Sequence, residues 1–150
     1  MVEALAAEGI DYALCGGIAV TLHGAVRSTK DIDILVRESD LSRVLGAVAP
    51  LGFDRPALPM TFDANTPRER RVQRVAKLAA GEPLLLDLVL VTPVLAAVFE
   101  GRQRFSWGET PIWAVSRAGL ARMKRMAGRH QDLADLEKLG LTGEGDDGDA

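Results

Sequence analysis

Two carboxylates stand two residues apart at Asp31 and Asp33, inside the run Arg27-Ser28-Thr29-Lys30-Asp31-Ile32-Asp33-Ile34-Leu35-Val36. Side chains alternate across a strand, so Asp31 and Asp33 share one face while Ile32, Ile34 and Val36 share the other. Carboxylates fixed side by side repel each other unless a cation lies between them, and a divalent metal is the simplest such cation. A third acid, Asp87, is the one charge within Leu84-Leu85-Leu86-Asp87-Leu88-Val89-Leu90-Val91, the most hydrophobic segment of the chain. A carboxylate in such surroundings is costly, or takes up a proton, unless a cation or strong donors compensate it. Asp87 therefore needs a partner: a metal, or one of the arginines nearby in the sequence. Ahead of the acidic pair, Cys15-Gly16-Gly17-Ile18-Ala19-Val20 reads as a strand end, two glycines and the start of a helix.

The elements that must position these groups follow from periodicity and punctuation. A short helix with Val2, Leu5 and Ala6 on its apolar stripe ends at Gly9. Strands are predicted over residues 12–15 and 31–37, with a helix over 18–23 between them. Leu41, Val44, Leu45 and Val48 give a crossover helix, capped by Ser39 or Asp40 and ended by Pro50, Leu51 and Gly52. Residues 53–67 hold three prolines and read as loop with one short extended piece; residues 70–79 fit strand or helix. Gly81, Glu82 and Pro83 form a turn into a central strand over 84–91, covered on both faces. Thr92 and Pro93 open a helix to about Glu100. Two short strands around Gly108 follow, carrying Trp107 and Trp113 as hairpin or core residues. Ser116 caps a helix over 118–126, and a last helix over 130–139 buries Leu133, Leu136 and Leu139. The expected fold is α/β (α+β), a small mixed sheet with helices packed mainly on one face.

At 150 residues and 47% hydrophobic content the chain is the size of one domain. The domain is expected over 1–139, with residues 140–150 an acidic flexible tail. Net charge is −3, but Glu144, Asp146, Asp147 and Asp149 carry the excess, and the remainder is near neutral. No apolar run approaches the roughly 20 residues of a membrane helix, and no secretory signal opens the sequence, so a cytoplasmic protein without membrane contact is expected. The single cysteine, Cys15, excludes an internal disulfide framework and a multi-cysteine zinc site; it reads as a small buried residue. His23 and His130 have no second ligand at useful spacing.

Taken together, Gly16-Gly17 after a strand, the Asp31-Ile32-Asp33 strand and Asp87 on a later strand resemble the nucleotidyltransferase superfamily with the DNA polymerase beta-like fold. Within it, the wording around Cys15-Gly16-Gly17 and Arg27–Asp33 is similar to the small bacterial members, including AbiEii-type toxins and minimal nucleotidyltransferases of toxin–antitoxin systems. The ending from Leu120 to Leu136, with Lys124 and then Arg129, Asp132 and Asp135, is similar as well. The resemblance covers about residues 10–139.

The resemblance implies Mg²⁺-dependent transfer of a nucleoside monophosphate from an NTP to a hydroxyl of a macromolecular acceptor, tRNA or protein. It implies two magnesium ions held by Asp31, Asp33 and Asp87, with Asp87 also able to accept the hydroxyl proton. Gly16 and Gly17 would let the backbone approach the phosphates, and Arg27, Thr29 and Lys30 would assist. Many members carry Ser at the position of Gly17, which here leaves backbone donors alone. Lys124 is a further candidate for contact with phosphate or acceptor, a structural role being the alternative. Arg129 and Asp132 fit a helix-surface ion pair, and Arg68, Arg70, Arg71, Arg74 and Lys77 fit either a nucleic-acid track or a charged edge. A different class of function is a non-catalytic module of the same fold that binds a cognate toxin or antitoxin partner. An aminoglycoside-type enzyme is a third, for which an extra helical domain would be expected that this chain is too short to hold.

Overall fold

A computed structural model describes residues 1–25 and 31–141. Among them are six helices: α1 (Val2–Ala7), α2 (Gly16–Leu22), α3 (Leu41–Val48), α4 (Ala96–Glu100), α5 (Arg117–Ala127) and α6 (His130–Leu139). Eight strands, β1 (Ala13–Cys15), β2 (Asp31–Val36), β3 (Arg55–Pro56), β4 (Met60–Phe62), β5 (Arg70–Ala79), β6 (Glu82–Leu90), β7 (Gln103–Trp107) and β8 (Thr110–Ala114), form one sheet. Its order is β3-β5-β6-β2-β1-β8-β7, with β4 also pairing on β5. The pairs β2–β6 and β1–β8 are parallel and the others antiparallel. The sheet is mixed, as expected.

Alternation along β2 works as its sequence dictates. Ile34 and Val36 join Leu86, Leu88 and Leu90 of β6 in a core covered by Leu5 of α1 and by Val44 and Val48 of α3. Leu35 turns to the opposite face, where Ala13 and Cys15 of β1 meet Val20 of α2, Val98 and Phe99 of α4, Leu120 of α5 and Leu136 of α6. Four helices thus lie on the face of Leu35 and two on the other. Asp31 and Asp33 belong to the four-helix face, in the partly buried first half of β2.

Several boundaries differ from the sequence reading for physical reasons. Residues 70–79 are strand throughout, because β5 zips against β6 from Val72 opposite Val89 to Ala79 opposite Glu82. The connecting turn is Ala80–Gly81, both with positive φ, the two-residue hairpin geometry that matches strand twist. Glu82 and Pro83 are therefore strand residues, and the first residues of β6 are exposed rather than covered on both faces. Within 53–67 there are two short strands, β3 and β4, which cap the far side of β5. Trp107 and Trp113 sit exposed on the β7–β8 hairpin. In α6 Leu136 and Leu139 are buried, but Leu133 is exposed and Asp132 and Asp135 are buried in its place. Leu141 closes the same core. No helix of the described residues is long and apolar enough to cross a membrane.

Candidate active site

Strand register assembles the site. Asp33 pairs with Asp87 across the parallel β2–β6 contact, Arg74 of β5 faces Asp87 from the other side, and Cys15 of β1 faces Asp33. Arg74, Asp87, Asp33 and Cys15 form one transverse row over four strands, and Asp31 stands two residues along β2 on the same face. Two of the three predicted carboxylates are direct neighbours, although 54 positions separate them in the chain.

The glycines stand at the Asp33 end of that row. Gly16 has φ +63, and a Cβ built on it would lie 2.2 Å from Asp33 Oδ2. Asp33 thus occupies the space that a side chain at position 16 would fill. The helix begins at Gly16 itself, two residues earlier than the sequence reading, and Gly17 is buried in its first turn. Arg27, Thr29 and Lys30 lie outside the described residues.

The electrostatics of the row are uneven. Burial, then the charge of Asp87 and then that of Asp31 push the Asp33 carboxyl up to about 6. Asp87, nearly buried, is held by a two-point ion pair, Arg74 Nε to Oδ1 at 2.7 Å and Nη2 to Oδ2 at 3.0 Å. The partner that Asp87 requires is therefore present as a guanidinium. Among the described residues no group of three or more His, Cys, Asp or Glu side chains is arranged to hold a metal ion. The donor set nevertheless fits a hard divalent cation. Its donors are all carboxylate oxygens, and the repulsion that raises Asp33 is the interaction a bound cation relieves. Asp31 and Asp33 share the face on which such an ion would be held, and Asp87 keeps lone pairs beyond the two that Arg74 occupies. Cys15 is buried, and burial followed by the charge of Asp33 pushes its thiol well up, so it is a packed residue and not a nucleophile.

Lys124 is 5% exposed on α5, with its Nζ 3.2 Å from Asp132 Oδ1 and 2.9 Å from Asp135 Oδ2. Arg129 Nε also reaches Asp132 Oδ2 at 2.7 Å. The expected Arg129–Asp132 pair exists, but its carboxylate is buried, whereas a surface pair was expected. Lys124 is thus a wall of the site, anchored by two acids of α6, with its charge still felt at Asp33. The signal that sequence reasoning passed over is the stripe Asp132, Asp135, Leu136 and Leu139, an i, i+3, i+4, i+7 face as regular as that of the leucines.

Between the acidic row and α5 lies a cavity of about 500 Å³. Asp33, Asp87, Arg74 and Lys124 lie at its charged end; Met60, Phe62, Val72, Val89 and Met123 give it an apolar wall, and Arg70 and Arg129 also border it. The arginine-rich stretch is divided by strand alternation. Arg71 turns away to a bidentate pair with Glu38, Lys77 lies over the Phe53 ring, and Arg68 donates to the Met126 carbonyl.

Solved structures share this architecture. The lincosamide antibiotic adenylyltransferase LnuA, bound to lincomycin, superposes with a TM-score of 0.56 at 16% identity, covering 94% of this chain and 93% of that one. A candidate nucleotidyltransferase from Thermotoga maritima gives a TM-score of 0.61 at 12% identity over 91% and 85%. The antibiotic-resistance factor ANT(2'')-Ia gives 0.62 at 12% identity over 97% and 82%. No family model and no curated protein matches the sequence. The chain has the nucleotidyltransferase fold. The match covers nearly all of LnuA and a smaller share of ANT(2'')-Ia.

Proposed function

We propose that this chain transfers a nucleoside monophosphate from an NTP to an acceptor hydroxyl and releases pyrophosphate. The observation that carries the reading is Asp33 and Asp87 paired across parallel strands, with Gly16 held open against Asp33. In this reading the acceptor oxygen attacks the α-phosphorus, the bond from that phosphorus to the α–β bridging oxygen breaks, and the hydroxyl proton passes to Asp87. Gly16 and Gly17 allow the β and γ phosphates to approach the backbone, and Arg27, Thr29 and Lys30 contact them. Lys124 adds positive charge from the opposite wall. The Arg74 pair lowers the basicity of Asp87, and a triphosphate offers that guanidinium an alternative partner. Magnesium held by Asp31 and Asp33, and by Asp87 once freed, would supply charge neutralisation for the phosphates.

The acceptor in this reading is a macromolecule, tRNA or protein, in a toxin–antitoxin setting, as the sequence resemblance implies. A small-molecule acceptor is the second reading, supported by the near-complete match to LnuA, a protein seen with lincomycin. Incubation with labelled NTPs and total RNA, a cell protein fraction or lincosamide and aminoglycoside compounds separates them. Asp31→Ala and Asp33→Ala are expected to abolish transfer while circular dichroism remains that of the wild type; equal turnover in all three proteins would end the assignment. Absence of magnesium-dependent NTP binding in calorimetry would favour the non-catalytic partner-binding module instead.

A further inference from the structure

Arg70 borders the cavity without a direct ion pair among the described residues, although Asp63 and Asp132 act on it through space. Its Nε is buried and has no hydrogen-bond partner, and among the described residues no carboxylate forms an ion pair with its guanidinium. Its contact is with the Phe62 ring, 5.0 Å from the guanidinium carbon, and Phe62 is its register partner on β4. Arg74, Arg71 and Arg37, by contrast, each hold a carboxylate. Arg129 borders the same cavity beside Arg70, with Nε and Nη2 on Asp132. Burial first, and then the like charge of Arg129, press the Arg70 guanidinium downward, and the more distant charges of Asp63 and Asp132 offset them only in part. A cation–π contact is weaker than a charge-assisted hydrogen bond to an anion. An anion in the cavity would complete the compensation that Asp63 and Asp132 begin.

Register fixes where that anion would lie. β1 runs antiparallel to β2, so the chain past Cys15 carries the glycines from beside Asp33 towards Asp31, the first residue of β2. Arg70 is four residues from Arg74 along β5, about 13 Å at strand rise, and lies towards the opposite end, where Val72 faces Val89. Attacking and leaving oxygens of a phosphoryl transfer lie roughly in line. With the departing pyrophosphate at the glycines, the acceptor enters from the side of Arg70.

We propose that Arg70 and Arg129 form an oxyanion subsite for the acceptor, taking a phosphate or carboxylate group set on the order of 10 Å from the reacting hydroxyl. Phe62 supports the Arg70 fork from below, and the apolar wall takes the body of the molecule between anion and hydroxyl. The inference rests on the proposed transfer for the word acceptor, but the anion site itself does not.

The test uses the full chain, metal-free, labelled so that arginine Nε–H signals are resolved by NMR, with inorganic phosphate as probe. A saturable shift of the Arg70 signal, identified by its loss in Arg70→Met, is expected. Affinity read from the other shifting signals should fall about tenfold or more in Arg70→Met and in Arg129→Gln. Thermal melts of both variants ensure that the loss is local, and Arg129→Gln, at an exposed side chain, stands in should Arg70→Met fail to fold. No saturable shift of the Arg70 signal in the wild type would overturn the subsite. The titration is then repeated with magnesium and a non-hydrolysable ATP analogue at saturation. Undiminished phosphate binding supports an acceptor subsite; competition would assign the arginines to the NTP's own phosphates and overturn the proposal. Failure of the analogue to bind at all would sink the transfer reading while leaving the first titration decisive for the anion site.

Discussion

At Asp33 a single side chain carries opposing demands. Its carboxyl, pushed up to about 6 by burial, Asp87 and Asp31, is protonated more readily in the folded than in the unfolded chain. The folded state therefore binds more protons between the ordinary value of 3.8 and about 6. Stability from this group is fully present below that window and is lost as pH rises through it. The loss is on the order of 3 kcal/mol by pH 7. Metal-free Asp33→Asn is expected to resist urea better than the wild type at pH 7 and to show a flatter stability profile between pH 4 and 6. Magnesium should recover part of the difference in the wild type alone; denaturation curves with chelator and with magnesium check both. The neighbouring glycine is constrained by the same carboxylate. Gly16→Ala would set a methyl 2.2 Å from Asp33 Oδ2 at a φ of +63, a cost of about 2 kcal/mol or more. Denaturant midpoints and transfer rates should fall together, because relief requires Asp33 to move.

Elements were legible where the pattern is local. The pair Asp31 and Asp33 on one face of β2, the α3 stripe and the Ser116 cap, whose hydroxyl accepts from Gly119 N at 3.0 Å, all depend on neighbours within a few residues. Contacts that depend on register were not legible. Arg74 faces Asp87 only because the β5–β6 hairpin turns at Ala80–Gly81, and a one-residue slip would send Arg74 to the other face. In α6 two stripes compete, one through Leu133 and one through Asp132 and Asp135, and hydrophobicity alone selects the wrong one. What decides is a lysine on another element: Lys124 of α5 makes burial of the two acids tolerable and joins α6 to the wall of the site. Lys124→Met would leave both carboxylates buried without that ammonium, a loss of about 3–5 kcal/mol. Thermal unfolding of the variant should show this directly, and a melt within a degree of the wild type would mean that α6 is held by its leucines.

Over the whole molecule, charge decides what kind of acceptor the surface suits. The chain carries 18 Lys and Arg against 21 Asp and Glu, and most arginines near the cavity are committed: Arg74 to Asp87, Arg71 to Glu38 and Arg129 to Asp132. Arg68 and Arg70 on β5 and its approach, and Arg122 on α5, remain without a carboxylate among the described residues. They border the cavity and the shallow groove beside it. A nucleic acid held through its backbone releases counterions in proportion to the cations it meets, with a salt slope of about −0.7 per contact for single strands. With Arg129 of the proposed subsite added, four cations give a slope no steeper than about −3. An RNA acceptor should accordingly bind with weak salt dependence and be recognised through a few contacts close to the reacting end, with Arg70 prominent among them. Filter binding of total tRNA across a series of salt concentrations, in wild type and Arg70→Met, measures the slope. A value steeper than twice that expected would mean a longer track that extends beyond the cavity and the groove. No binding at any salt, alongside transfer to a small molecule, would assign the cavity to an acceptor that fits wholly inside it.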